Sequence, residues 1–196
     1  MAGKFLEVDI LKPDEETVSA VSSVIKAGGT AIYPSDTVYG ILADASCLQA
    51  VESICTMKGY RTVRPFIILA GSMKRVLELT TQKALEHLMN RYWPGPVSLI
   101  LEGASSVPQW LLSQAGTVAV RVPSDPLTCR ILDSVDFDLV TTSANSKGSP
   151  FPLSTEEIPD IIIESAAMVL DGGKLHHRKP SRIIDVTGKD PVEIRN

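Results

Sequence analysis

Residues 33–40 read YPSDTVYG and present three consecutive hydrogen-bonding side chains, those of Ser35, Asp36 and Thr37. They follow two glycines and a short apolar run in residues 28–32, so we predict that the segment lies where a buried strand ends. Pro34 fixes the backbone angle φ at the start of this segment, and Gly40 permits a wider range of backbone angles at its end. The pattern suits a site for a small polar ligand, and an ordinary Ser-, Asp- and Thr-rich turn is the alternative.

Lys58, Arg61 and Arg64 place three cations within residues 58–65, which read KGYRTVRP and join a predicted helix to a predicted strand. A polyphosphate is bound best by several cations at close range, so this segment predicts a phosphate clamp. The alternative is that the cations only complement the dipole of the preceding helix.

Arg121 interrupts an otherwise apolar strand in residues 117–123, which read TVAVRVP. A buried, unpaired guanidinium is costly, so we expect a carboxylate partner from the protein or from a ligand. Residues 141–148 (TTSANSKG) follow another buried strand and offer hydroxyl and amide groups without bulk. The alternative there is a strand-to-loop turn with Asn145 in a left-handed conformation.

The 196-residue sequence does not support several familiar protein classes. No segment matches a G-x-x-x-x-G-K-[ST] phosphate loop, a G-x-G-x-x-G turn or a G-x-S-x-G turn. The three cysteines include no Cys-x-x-Cys pair, and the net charge of −4 does not suggest a general nucleic-acid-binding surface. The apolar runs are too short to span a membrane and the start lacks a signal-peptide pattern, so we expect a cytoplasmic protein.

Hydrophobic periodicity predicts alternating helices and strands. The predicted helices include Val18 to Ile25, Leu48 to about Lys58, Thr80 or Thr81 to Tyr92, Asp125 to Leu132, and Thr155 to Glu164. The predicted strands cover residues 30–34, 66–69, 97–101, 117–122, 139–142, 167–170, 182–186 and 192–195. Several strands follow one another directly, which favours a mixed sheet with antiparallel pairs in one α/β domain over residues 1–196.

Six motifs, taken together and in order, resemble the YrdC-like family of threonylcarbamoyl-AMP synthases in the YrdC/YciO superfamily. They are PSDTVYG, a lysine before a proline-led strand, WPGP, TVAVRVP, TSAN and a late Ser-x-x-x-Asp, and they extend from the glycines at 28–29 nearly to Arg195. The resemblance implies a single-domain twisted mixed α/β sheet with flanking helices and a large concave cavity.

The resemblance also implies an activity, in which a nucleotidyltransferase forms L-threonylcarbamoyladenylate and pyrophosphate from ATP, L-threonine and bicarbonate. A tRNA-modifying partner complex would then transfer the threonylcarbamoyl group to adenosine 37 of tRNAs, giving t6A. Mg²⁺ would be carried with ATP and held largely by phosphate oxygens and water, so no protein metal site is expected.

Residue roles carry over by position. The residues implied to bind threonine are Ser35, Thr37, Arg121, Thr141 and Ser181, and Arg121 would pair with the threonine carboxylate. The residues implied to bind ATP are Lys58, Arg61, Thr117, Ser143, Asn145 and Arg195, among which Lys58, Arg61, Ser143 and Asn145 would be catalytic. Each proposed ligand carries negative charge, which the cations and neutral donors of these motifs suit.

One motif departs from the family pattern, which is Lys-x-Arg-Pro followed by a proline-led strand. With Pro65 in register, Tyr60 occupies the arginine position and Arg61 follows one residue later. Either the loop bends so that Arg61 reaches the same place, or the cationic clamp is altered. The YciO branch also departs here, whereas an intact TSAN segment favours a synthase. Arg182 stands where the family commonly has threonine. It would either add a contact to phosphate or be a change on the surface only.

Two other functions remain open at this point. One is a YciO-like paralogue that makes a carbamoyl-adenylate for another acceptor. The other is a non-catalytic protein that binds tRNA or double-stranded RNA through a local patch of cations, for which scattered solvated charges are the alternative. The patch would contain Arg61, Arg64, Lys147, Lys174, Arg178, Lys179 and Arg182.

Overall fold

The computed structural model describes residues 4–82, 86–176 and 179–195. Its strands are β1 (Lys4–Glu7), β2 (Ala31–Tyr33), β3 (Gly40–Asp44), β4 (Ile67–Leu69), β5 (Val97–Glu102), β6 (Thr117–Arg121), β7 (Leu139–Ser143), β8 (Met168–Asp171), β9 (Arg182–Asp185) and β10 (Val192–Arg195). Its α-helices are α1 (Glu15–Lys26), α2 (Leu48–Met57), α3 (Met73–Leu79), α4 (Glu86–Tyr92), α5 (Pro126–Asp133) and α6 (Asp160–Ser165).

The ten described strands form one mixed sheet in the order β1-β8-β2-β3-β7-β4-β6-β5-β9-β10. Strands β4 and β6 are parallel, as are β5 and β9, whereas β3 and β7 are antiparallel. This arrangement confirms the prediction of an α/β fold with a mixed sheet. None of the described helices is long and apolar enough to cross a membrane.

Local sequence signals explain where the two helices on the second face of the sheet begin. The carboxylate of Asp14 accepts a hydrogen bond from Thr17 N at 2.7 Å and caps α1. Asp125 caps α5 in the same way, through Thr128 N at 2.8 Å, and Pro126 occupies the first helical position. Both are favourable N-terminal arrangements, since they satisfy or remove backbone donors that the helix leaves unpaired.

The two faces of the sheet are covered to different extents. One face is buried beneath α2 and its neighbours, where Ile41, Ile68 and Val120 are fully enclosed. The other face packs against α1 and α5 only through part of the sheet, and there Leu42 and Leu139 are buried. Because successive strand residues point to opposite faces, this second face continues across β4, β6, β5 and β9.

Beyond α5, that second face remains open. Four apolar residues at interior strand positions are only partly buried, namely Ile67, Ile100, Ala119 and Ile183. Strand register places Ile100 beside Ala119, and Ile67 beside Thr141. These positions show that no described helix fully covers this part of the second face, and Ile67 among them lines a cavity.

Most predicted elements are confirmed to within a few residues, but four are wrong or missing. Strands β1 and β3 and helix α3 were not predicted, and β3 is buried on both faces, so it lacks the alternation that identifies a half-buried strand. The helix expected from Thr155 to Glu164 is a short 3₁₀ turn followed by α6, with Pro159 at the break. Helix α4 begins at Glu86, and residues 83–85 lie outside the described residues.

Gly40 is predicted to be intolerant of a larger side chain because β2, β3 and β7 meet there. A Cβ atom at this position would lie 2.8 Å from Tyr33 Cε1 and 3.2 Å from Thr141 Oγ1. We expect Gly40→Ala to lower the free energy of unfolding in urea by about 1–3 kcal/mol. Gly71→Ala is the matched control, since the nearest atom to its Cβ is Leu132 Cβ at 4.0 Å. Equal losses in the two variants would contradict this explanation.

Candidate functional site

A cavity of about 70 Å³ opens on the uncovered part of the second face. Hydroxyl groups and two arginines make up most of its polar wall, and Phe151, Val38 and Ile67 contribute apolar surface. The predicted site residues that line it are Ser35, Thr37, Arg121, Thr141, Ser143, Ser181 and Arg195.

The segment YPSDTVYG forms one wall of this cavity, as a tight turn between β2 and β3. Ser35 Oγ donates to Val38 O at 2.7 Å and accepts from Thr37 N and Val38 N at 3.1 and 3.2 Å. Ser35 and Thr37 are 4% and 5% exposed, and their hydroxyls lie 2.9 Å apart. The Ser35 hydroxyl therefore uses its one donor and both of its acceptor lone pairs to close the turn.

Arg121 lies at the end of β6, almost fully buried, and is held from three directions. Its Nε donates to Gly95 O at 3.0 Å, its Nη2 pairs with the carboxylate of Asp36, and its Nη1 is 3.4 Å from Thr37 Oγ1. The carboxylate partner expected for this arginine is thus Asp36. The contact between Nη1 and Thr37 is the longest of the three, so this edge of the guanidinium is the one that a ligand can reach.

Tyr33 and Thr141 form the floor of the cavity beside Gly40. The Tyr33 hydroxyl lies 3.0 Å from Thr141 Oγ1, across β2, β3 and β7. Burial is the main reason that the pKa of Tyr33 is raised, and the carboxylate of Asp125 adds to this effect. The phenol therefore remains protonated and can donate a hydrogen bond at neutral pH.

Lys58 does not line the cavity but connects α2 to the TSAN segment beneath it. Its Nζ donates to Ser143 O and Asn145 O, both at 2.6 Å, and to Asn145 Oδ1 at 3.3 Å. Ser143 Oγ donates to the same amide oxygen at 2.5 Å, and Asn145 Nδ2 donates to Ser149 O at 2.6 Å. In this structure, Lys58 fixes the loop that presents Ser143, and Asn145 is buried beside it.

Ser181 and Arg195 close the cavity from the β9–β10 side. Arg195 donates through Nε to Ser181 O at 2.9 Å and through Nη2 to Ser181 Oγ at 3.0 Å. Its guanidinium lies 5.6 Å from the centre of the Phe151 ring. Burial first, and then the charge of Arg121, lower the pKa of Arg195. Arg121 and Arg195 both line the cavity, so its wall carries two cations.

The structure does not bring Arg61 or Thr117 to the cavity wall. Arg61 is exposed on the loop after α2, and Tyr60, at the family's arginine position, packs against the core. Arg64 lies over the Tyr60 ring at 4.8 Å. Thr117 is on the cavity side of β6, but its hydroxyl is 2.8 Å from Ser113 Oγ.

Sequence reasoning gave no role to several residues of the site, including Tyr33, Asp36 and Phe151, and it left one question about the surface open. Asp36 was noted for its carboxylate but given no role, although it lies beside two hydroxyls in the motif. No sequence motif marks Phe151 as a site residue, because only the fold brings its ring close to Arg195. Arg182 is exposed and pairs with Glu193 at 2.7 Å, which makes it a surface change rather than a cavity residue.

Within the described ranges, no group of three or more His, Cys, Asp or Glu residues is arranged to hold a metal ion. The predicted cationic patch is only partly described, since Arg178 lies outside the described residues. Arg61, Arg64, Lys147, Lys174 and Lys179 are exposed.

Comparison with known sequences places the chain among named relatives. The model of the Sua5/YciO/YrdC family, described as telomere recombination, matches residues 23–196. A putative threonylcarbamoyl-AMP synthase of Mycobacterium tuberculosis is 34% identical over 95% of this chain and 88% of that protein. The threonylcarbamoyl-AMP synthase of Pyrococcus abyssi is 30% identical over 93% of this chain, which corresponds to 54% of its own length.

Solved structures give a consistent comparison. The crystal structure of P. abyssi Sua5 complexed with L-threonine superposes with a TM-score of 0.89 at 28% identity, covering 97% of this chain and 56% of that one. Escherichia coli YciO superposes with a TM-score of 0.87 at 26% identity, covering 99% of this chain and 95% of that one. The chain therefore spans about half of the Pyrococcus protein and nearly all of YciO.

Lys58 provides a pH-dependent test of the loop that it holds. Burial lowers the pKa of Lys58 from 10.5 to about 8, so the folded protein loses this proton at a lower pH than the unfolded chain does. The Lys58 contribution to the free energy of unfolding must therefore rise between about pH 8 and 10.5 and stay constant below pH 8. In urea denaturation, the free energy of unfolding of wild type should rise relative to that of Lys58→Met as the pH rises through this window.

The control for this measurement is Lys189→Met at an exposed position. Its difference from wild type is expected to change little with pH. A difference between wild type and Lys58→Met that is independent of pH would show that Lys58 is not buried as described.

Proposed function

The chain belongs to the Sua5/YciO/YrdC family, and on that premise we propose that it is a threonylcarbamoyl-AMP synthase. It would form L-threonylcarbamoyladenylate and pyrophosphate from ATP, L-threonine and bicarbonate. The proposal is supported by relatives that bear this name and by one observation above all. That observation is a buried arginine, Arg121, that offers one edge of its guanidinium to a cavity lined by hydroxyl groups.

Arg121 and Thr37 would bind the threonine carboxylate, since the guanidinium edge and the hydroxyl converge on one point of the cavity wall. Thr141 and Ser181 would contact the rest of the amino acid, and Ser35 would line the pocket while its hydroxyl holds the turn that presents Thr37. All five residues are nearly fully buried, so each polar contact would form in a site shielded from water.

ATP would lie along the open wall between Ser143 and Arg195, with Phe151 as an apolar surface. Arg195 is suited to phosphate because it has no carboxylate partner among the described residues. Lys58 and Asn145 would act by fixing the Ser143 loop. Arg61 and Thr117 would reach the nucleotide only through a movement of the loop after α2 or of the Ser113 region.

The chemistry requires positioning rather than an acid–base pair. The threonine ammonium group would first lose a proton to water. The free amine would then attack carbon dioxide with loss of a second proton, or bicarbonate with loss of water, to give the carbamate. An oxygen of the carbamate would form a bond to the α-phosphorus of ATP as the bond from that phosphorus to pyrophosphate breaks. Holding both reactants in one cavity and stabilising the phosphate charge with cations can supply most of the acceleration.

Mg²⁺, the partner complex and the location in the cell belong to the same proposal. The cavity wall offers hydroxyls and cations, which fits a Mg²⁺ ion that arrives on ATP and keeps phosphate and water ligands. The product would pass to a tRNA-modifying complex in the cytoplasm.

A YciO-like activity with another acceptor is the second candidate, and Tyr60 is the observation that favours it. With Tyr60 at the arginine position and Arg61 exposed, the cationic loop departs from the synthase pattern, and the chain covers nearly all of the YciO structure. Binding of tRNA or double-stranded RNA through Arg61, Arg64 and Lys147 is a third and weaker candidate, and its affinity would fall steeply with salt.

The first test is pyrophosphate release by the purified protein, with the adenylate detected by mass spectrometry. We expect release to require both L-threonine and bicarbonate, because the carbamate is the nucleophile. Release that ignores threonine but responds to another amino acid would support the second candidate. RNA binding without any pyrophosphate release would support the third.

The second test asks whether Arg61 or Arg64, in the loop after α2, contacts the phosphates of ATP. If the loop moves onto ATP, Arg61→Ala should raise the KM for ATP about tenfold or more with little change in the KM for threonine. Arg64→Ala is the matched control, because Arg64 is held over the Tyr60 ring. An unchanged KM for ATP in Arg61→Ala would remove Arg61 from the site.

A further inference from the structure

Arg195 lines the cavity and keeps several guanidinium donors that no described residue accepts. Its Nε and Nη2 atoms donate to Ser181 O and Ser181 Oγ at 2.9 and 3.0 Å, which uses two of the five N–H groups of the guanidinium. The others lie on Nη1 and Nη2. No carboxylate among the described residues forms an ion pair with Arg195. The free donors form a fork that matches two oxygens of one phosphate group.

The direction of the Arg195 side chain depends on an irregularity in strand pairing. Glu193 pairs with Ile184, whose side chain is buried in the core on the first face, whereas Arg195 pairs with Ile183 on the open second face. Ile194 therefore stands as an extra residue between the two pairs. Without this shift, Arg195 would point to the same face as Glu193, because alternate residues of a strand share a face. The shift turns the guanidinium into the cavity.

The Phe151 ring covers one face of this guanidinium. The guanidinium carbon lies 5.6 Å from the ring centre, within the range of a cation–π interaction. Phe151 is half-buried and lines the cavity, and it is not among the described residues that form or pack against the two core clusters. Burial and the charge of Arg121 both lower the pKa of Arg195, so the π-face of Phe151 offsets part of the cost of holding a cation there.

Backbone hydrogen bonds hold the Phe151 ring in this place. Tyr39 N donates to Pro152 O at 3.0 Å, and Leu175 N donates to Leu153 O at 2.7 Å, so the two residues after Phe151 are both fixed. Tyr39 belongs to the YPSDTVYG turn, which forms another wall of the cavity. The ring is therefore carried by a segment that is tied to this turn, whereas the guanidinium comes from β10.

We propose that Phe151 is a positioning residue for ATP, which acts by holding the Arg195 guanidinium in the orientation that its free donors need to meet a phosphate. Ser181 fixes one edge of the guanidinium and Phe151 fixes one face, so the fork that remains points to the ligand. A side chain held in advance costs less to order on binding, and its attraction for phosphate is stronger where the ring excludes water. The inference rests on the proposed function only in taking ATP as the ligand.

Direct stacking of the Phe151 ring on the adenine base is the alternative, since aromatic side chains also stack on bases. The two roles have different requirements. Positioning acts on the phosphates and needs Arg195, whereas stacking acts on adenosine as well and does not need Arg195. The structure favours positioning, because the guanidinium already lies over the ring.

The experiment is a double-mutant cycle between Phe151 and Arg195, measured by calorimetry with ATP and Mg²⁺, adenosine, and L-threonine as separate ligands. We expect Phe151→Leu to weaken ATP binding about threefold to tenfold, because a partly desolvated cation–π contact is lost, and to leave adenosine and threonine unchanged. Arg195→Ala should weaken ATP binding about tenfold or more. In the Arg195→Ala background, Phe151→Leu should have no further effect on ATP.

Further variants make the result specific to the ring. Phe151→Tyr keeps an aromatic face and should keep the wild-type affinity for ATP. Phe137→Leu is the matched control, because Phe137 is also half-buried and outside the strands and helices but does not line the cavity, and its affinities should all equal those of wild type. If Phe151→Leu does not fold by circular dichroism, Phe151→Met takes its place, because methionine also fills an apolar gap without an aromatic ring.

The outcomes separate positioning from the other roles of an aromatic side chain. If Phe151→Leu weakens ATP equally with and without Arg195, or weakens adenosine as much as ATP, the ring contacts the nucleotide directly and the inference is overturned. If it weakens threonine as much as ATP, the ring only supports the cavity wall, and the inference is overturned as well. An unchanged affinity for ATP in Phe151→Leu has the same consequence.

The same variants distinguish this inference from the proposed function. If ATP binding depends on Phe151 through Arg195, but wild type releases no pyrophosphate with threonine and bicarbonate, the positioning role is supported and the proposed function is wrong. If that release occurs and Phe151→Leu binds ATP as wild type does, the function is supported and the positioning role is wrong. If wild type does not bind ATP, both are wrong.

Discussion

The ion pair between Arg121 and Asp36 is the interaction on which the candidate site depends. A guanidinium at the end of an interior strand can be buried only if its donors are satisfied, and here two separate segments provide the three acceptors. Gly95 belongs to the WPGP loop, whereas Asp36 and Thr37 belong to the turn after β2. The arginine therefore ties together parts of the chain that are distant in sequence.

The open face of the sheet is the second constraint. Helices α1 and α5 cover the second face only as far as β4, so interior positions of β6, β5 and β9 remain partly exposed. A sheet interior usually excludes water on both faces, and an uncovered half offers a rigid, concave wall. Hydrogen bonds within the protein hold side chains of this wall, such as Ser35 and Arg121, and a side chain that is already held costs less to order on binding.

Lys58 illustrates how a charged residue can act on a site from behind it. Its ammonium group donates hydrogen bonds to three oxygens of the TSAN segment, so the lysine stabilises this loop instead of being solvated. Tyr60 and Arg64 stack on the same connection, which leaves Arg61 exposed. The loop thus holds Arg64 over the Tyr60 ring, and Arg61 is the cation that we propose it offers to phosphate.

The sequence by itself determined the α/β class, most strands and helices, and the residues of the cavity that stand in motifs, because periodicity, turn residues and ordered motifs are local. Tertiary structure alone decided that Asp36 neutralises Arg121, that Phe151 meets Arg195, and that Lys58 lies behind the wall while Arg61 lies outside it. Those relations depend on strand order and on which face each helix covers. Neither the strand order nor the placement of the helices is encoded in any short segment, since both arise only when the whole sheet is assembled.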